Sequence, residues 1–80
     1  MKKTSRKTLR SPNHKILCQV LIDQRNHAGM TQAQVAETLS WPQSDISKIE
    51  TGDRRLDVIE FVQLCDAIDI DPCAVIEKLL

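Results

Sequence analysis

Eighty residues, 41% of them apolar and with a formal net charge of zero, are enough for one small domain and too few for two. The chain has no Tyr, one Phe and one Trp, so aliphatic side chains must fill its core, and recognition of RNA or single strands by base stacking, which needs aromatic platforms, loses weight. The zero net charge hides a gradient of +6 over residues 1–30, −1 over 31–55 and −5 over 56–80, a polarity that points to a nucleic-acid or membrane partner without choosing between them.

Residues 1–12 hold Lys2, Lys3, Arg6, Lys7 and Arg10 with only Met1 and Leu9 apolar, too little to bury, and are expected to form a flexible basic arm ahead of a folded unit over residues 13–80. No apolar stretch follows the basic residues, and no run approaches the roughly 18 residues that span a bilayer, so neither a secretory signal nor a membrane segment is expected. From Asn13 the apolar residues Ile16, Leu17, Val20, Leu21 and Ala28 recur at helical spacing, and Gly29 supplies a left-handed stop. Thr31 with Gln34 forms a capping box for a second helix that buries Val35, Ala36 and Leu39. Ser40-Trp41-Pro42 ends it, and Pro42 suits the first turn of a third helix whose apolar positions are only Ile46 and Ile49 before Gly52.

After a loop carrying Asp53, Arg54 and Arg55, a second capping box at Asp57 and Glu60 opens a fourth helix expected to bury Val58, Phe61, Val62, Leu64, Cys65 and Ile68. Asp71-Pro72 then starts a fifth helix with Val75, Ile76, Leu79 and Leu80 behind it. The expected class is therefore all-α, with five helices. Cys18, Cys65 and Cys73 are odd in number, lack C-x-x-C spacing and sit among apolar residues, which reads as three reduced core thiols and a cytoplasmic location.

Two short helices joined by a tight turn, the second polar outside one narrow buried edge, are what a helix-turn-helix requires: the first braces the second across a major groove about 12 Å wide. The stretch GMTQAQVAETLSWPQSDISKIETGDRR, residues 29–55, resembles the helix-turn-helix of the Cro-type phage repressor and xenobiotic-response-element (XRE) family, and the likeness extends roughly from Ile16 to Leu80. Thr31-Gln32, the small Ala36, Leu39, Ile46 and the I-E-x-G of residues 49–52 fall at the family's spacing. The resemblance implies a compact five-helix phage-repressor-like domain and a sequence-specific regulator of transcription that binds double-stranded DNA as a homodimer. It implies a phosphate contact from Gln32, helped by the helix dipole, and a reading set of Gln43, Ser44, Asp45, Ser47 and Lys48. Gln suits adenine, Lys guanine or phosphate, and Asp cytosine. Arg54 and Arg55 fall where the family approaches the DNA backbone, and Arg25 with Glu50 where it forms a structural ion pair. The chain departs from the pattern at Ser40, often a glycine, and at Trp41-Pro42.

An enzyme is the first rival, and the residues do not supply one: His14 and Cys18 lie one helical turn apart, but no second pair completes a zinc site. No catalytic residue, metal or cofactor is expected. The stronger rival is a protein-binding role, as an antitoxin paired with a toxin or as a controller touching RNA polymerase, with Asp66, Asp69 and Glu77 as its contact surface. A homodimer is expected for two reasons. One recognition helix covers too few base pairs to select a site, and the apolar end of the fifth helix exceeds what a small core can cover.

Overall fold

Among the described residues, each helix but one begins where a side chain can take up an amide that the helix itself leaves without a partner. The computed structural model describes residues 11–80, and in it Ser11 accepts from the His14 amide at 3.1 Å while Pro12 occupies the first turn of α1 (Pro12–His27). The helix thus starts one residue ahead of Asn13, because Ser-Pro is itself a cap followed by a residue that needs no donor. Lys2, Lys3, Arg6, Lys7 and Arg10 lie outside the described residues.

Both expected capping boxes form. Before α2 (Gln32–Leu39), the Gln34 amide donates to Thr31 Oγ1 at 3.1 Å and the Thr31 amide to Gln34 Oε1 at 2.8 Å. The exception is α3 (Gln43–Thr51): Pro42, with a ψ of 140°, is extended and stands as the N-cap rather than the first residue of the helix, with no side-chain cap. Before α4 (Val58–Ala67), the Glu60 amide donates to Asp57 Oδ1 at 2.7 Å and the Asp57 amide to Glu60 Oε1 at 3.1 Å. Asp71 caps α5 (Pro72–Glu77) through the Cys73 amide at 2.9 Å.

Gly29 and Gly52 end α1 and α3 with φ of 72° and 87°, the left-handed geometry that glycine takes without steric cost. Ser40 takes the same geometry at φ 58° and ψ 37°, which lets the Trp41 amide reach the Ala36 carbonyl at 2.9 Å. Left-handed geometry costs a non-glycine residue about 1–2 kcal/mol, part of which glycine gives back in unfolded-chain entropy. Ser40→Gly is accordingly expected to raise the thermal midpoint by a few degrees, roughly the 4–8 °C that 1 kcal/mol produces at this chain length. A lowered midpoint in thermal unfolding contradicts the strain argument. Asp69, at φ 61°, is a second left-handed residue, tolerated because a short polar side chain can bond locally.

The core draws on all five helices: Leu21 from α1, Val35 and Ala36 from α2, Ile46 and Ile49 from α3, Phe61, Leu64 and Cys65 from α4, then Ile68 and α5's Val75. Leu17, Val20, Leu39, Trp41 and Leu56 pack against it half-buried. Several expected core residues lie outside it. In α4 the spacing that buries Phe61, Leu64, Cys65 and Ile68 turns Val58 and Val62 onto the flank, where both are exposed. Ile16 and Ala28 are exposed on α1. Cys73 is also exposed, two residues from the buried Val75 and so nearly opposite it on α5, whereas Cys18 and Cys65 are buried free thiols. Burial pushes the Cys65 thiol up to about 11, which keeps it protonated and unreactive at neutral pH.

Candidate nucleic-acid interface

α2 and α3 meet through Val35 and Ala36 on one side and Ile46 and Ile49 on the other, all buried. Ala36, 3% exposed, has only a methyl group to fit between the packed helices, and the left-handed Ser40 turns the chain between them. With its apolar edge used, α3 presents Gln43, Ser44 and Lys48 exposed, while Asp45 and Ser47 are half-buried beside them. The five residues expected to read bases thus share one helix, and three of them face solvent.

The far end of α3 is held by an ion pair. Arg25 Nε lies 2.6 Å from Glu50 Oε2 and its Nη2 donates to Oε1 at 3.0 Å, with the side chains 14% and 7% exposed. Arg25 Nη1 donates to the Met30 carbonyl at 2.8 Å, so one guanidinium fixes α3 and the α1–α2 turn to α1. The hydrogen bond to Glu50 raises the Arg25 pKa further. Gln32, in the first turn of α2, donates from Nε2 to Glu50 Oε1 at 3.0 Å. An amide nitrogen carries two hydrogens, so this bond uses one of the two donors of Gln32.

His14 and Cys18, weighed above as ligands, pack against the same end of α3. The Cys18 thiol donates to the Ile49 carbonyl at 3.3 Å, and a Cβ on Gly52 would lie 3.7 Å from the His14 ring. Among the described residues no group of three His, Cys, Asp or Glu side chains is placed to hold a metal ion.

The loop between α3 and α4 treats its two arginines differently. Arg55 is exposed and makes no ion pair among the described residues. Arg54 is half-buried and forks onto Glu60, with Nη2 2.8 Å from Oε2 and Nη1 3.3 Å from Oε1. Its Nε lies 3.8 Å from Asp45 Oδ1, and its guanidinium carbon sits 6.0 Å from the centroid of the Trp41 ring. Hydrogen bonding raises the Arg54 pKa and lowers that of Glu60. Nothing in the sequence marked Glu60 or Trp41 as partners of Arg54, because the six-residue spacing to Glu60 follows no helical period and the Trp41 contact is tertiary.

A polar helix carried on a short bracing helix, across a turn with one left-handed residue, defines a helix-turn-helix DNA-binding domain. Residues 17–76 match the family described as a helix-turn-helix domain. An XRE-family like protein from Pseudomonas syringae pv. tomato str. DC3000 is 44% identical over 91% of this chain and 89% of its own, with a TM-score of 0.83. The chain belongs to the XRE family of helix-turn-helix regulators, DNA-binding proteins that act on transcription. The restriction-modification controller protein C.Esp1396I shares the fold, with a TM-score of 0.78 at 23% identity over 88% of this chain and 92% of its own. A single-residue mutant of that controller gives 0.77 at 23% identity, over 86% and 87% of the two chains. Curated proteins include no match to the chain. No helix among the described residues is long and apolar enough to cross a membrane.

Proposed function

We propose that the chain reads the major groove of a specific double-stranded DNA site through α3, as a homodimer, and regulates transcription there. The observation that carries this is the exposed polar face of α3, with Gln43, Ser44 and Lys48 standing clear of the core. Their side chains match what base edges offer: an amide that can both donate to and accept from adenine, a hydroxyl, and an ammonium that suits guanine or phosphate. Ser47 borders this set, and Gln32 and Arg55 flank it as phosphate contacts. The basic residues of the N-terminal arm add charge for the DNA backbone.

Replacing Gln43 or Lys48 by alanine is expected to weaken binding to the cognate duplex by about 1–3 kcal/mol and to relax preference at one base pair, with non-specific affinity little changed. The check is a titration against single-base variants of a duplex selected by the wild-type chain from a random library. A variant profile identical to wild type removes α3 as the reading element.

A second reading, in which a toxin or RNA polymerase is the main partner, is favoured by one observation: Asp66, Asp69 and Glu77 are exposed on the acidic C-terminal part. If it holds, neutralising the three leaves the duplex titration unchanged while altering output from a reporter promoter carrying that site. Unchanged output leaves the DNA reading alone.

A further inference from the structure

Arg54 has partners in several different parts of the fold. Its fork holds Glu60 on α4, its Nε faces Asp45 on α3 at 3.8 Å, its guanidinium covers Trp41 in the turn at 6.0 Å, and its Nη1 donates to the neighbouring Arg55 carbonyl at 3.0 Å. Its backbone amide donates to the Lys48 carbonyl at 3.1 Å, beside the 2.8 Å bond from the Asp53 amide. Glu60, in turn, is fixed by the capping box with Asp57. The guanidinium therefore joins the turn before α3, the first turn of α3 and the start of α4.

We infer that Arg54 is a positioning residue for the recognition helix rather than a phosphate contact, and that Asp45 is its anchor on α3 rather than a base reader. The inference rests on the major-groove reading proposed above. Charge supports it: Asp45 and Glu60 place two carboxylates around one guanidinium, so little positive charge is left for DNA, whereas Arg55 beside it points no charge at any carboxylate among the described residues. Geometry supports it as well. A bidentate arginine–carboxylate pair fixes orientation in a way that a lysine or a lone charge does not. With side chains 27–31% exposed, these pairs remain screened by solvent, so the network acts more on where α3 sits than on whether the domain folds.

The two roles give opposite results when Glu60 is neutralised. E60Q keeps an acceptor for the Asp57 amide, since glutamine also serves in a capping box, but loses the charged half of the fork. With Arg54 as a positioner, E60Q and R54A both flatten discrimination between the selected duplex and its single-base variants, by about tenfold at one position. R54K does not rescue it, and the slope of log affinity against log salt in R54A stays at the wild-type value. Fluorescence of Trp41, the one tryptophan, changes in both variants without DNA. A purely structural role lowers the thermal midpoint but leaves the base-preference profile of the folded protein as in wild type, and that result overturns the inference. With Arg54 as a phosphate contact, R54A lowers the slope by about 0.9, E60Q binds more tightly because Arg54 is released, and base preference is retained. That pattern also overturns it. If the wild-type chain selects no duplex at all, the major-groove reading fails, and the inference with it.

Discussion

Arg25→Ala is expected to cost about 3 kcal/mol of folding stability, the largest loss from any single charged side chain in the described part of the molecule. Glu50 is 7% exposed and accepts from Arg25 twice and from Gln32 once, so without Arg25 a nearly buried carboxylate keeps a single neutral donor. Removing one partner of such a pair typically costs about 3–5 kcal/mol, because the remaining charge is left uncompensated, and the 14% exposure of Arg25 puts this case at the lower end. At roughly 4–8 °C per kcal/mol for a domain of this size, the midpoint should fall by more than about 10 °C. Replacing both partners, as in Arg25→Met with Glu50→Leu, should cost less than R25A alone, since well-packed apolar groups can stand in for a buried pair. Circular dichroism melts of the three proteins decide it. A midpoint in R25A within a few degrees of wild type means that the pair is screened by solvent and orients α3 without stabilising it.

The parts of this molecule that were legible in the sequence are those decided within a few residues. Thr31-Gln34 and Asp57-Glu60 cap their helices because the chemistry of a cap spans one turn, and Gly29, Ser40 and Gly52 stop theirs because a left-handed residue is a local event. The Arg25–Glu50 pair is tertiary, and only the family resemblance brought it within reach. Faces were harder. An apolar run says that a helix packs, not which third of its circumference does so, and on that point Val58 and Val62 went to solvent while Phe61 and Ile68 went inside. α5 has six residues, less than two turns, so its period could not separate the exposed Cys73 from the buried Val75. The roles of Arg54 and Asp45 depend on contacts with Glu60 and Trp41 that no helical period in the sequence announces.

The exposed apolar residues that core packing leaves behind lead to the second large effect: a charge placed on the exposed apolar surface of α5 or of the residues just after it is expected to abolish a homodimer and, with it, tight binding to the full operator. Of the four apolar residues at the end of the chain Val75 is buried, and the half-buried Leu79 lines a groove with Leu17, Leu56, Asp57, Val58, Phe61 and Ile76. Of the lining residues Val58 is 74% exposed, and the residues that follow Val58 and Leu79 in the chain, Ile59 and Leu80, are 69% and 96% exposed. A surface carrying both an apolar groove and apolar projections can serve both sides of a two-fold contact, where each patch meets its own copy. Two-fold pairing also answers the arithmetic of recognition. On the major-groove reading proposed above, one α3 would read a handful of base pairs, each mismatch worth about 1–3 kcal/mol, and two half-sites about 34–36 Å apart would multiply the discrimination. Neither Ile76 nor Leu80 is buried, so helical content of Ile76→Asp or Leu80→Lys should stay close to wild type. The protein should then sediment as a monomer at micromolar concentration. Its affinity for the full operator should fall by about 100- to 10,000-fold, the advantage that linking two half-site contacts provides, while a single half-site is bound as wild type binds it. Light scattering that finds wild-type monomers both free and bound singly to the operator would refute the dimer, and the apolar face would then need a different partner.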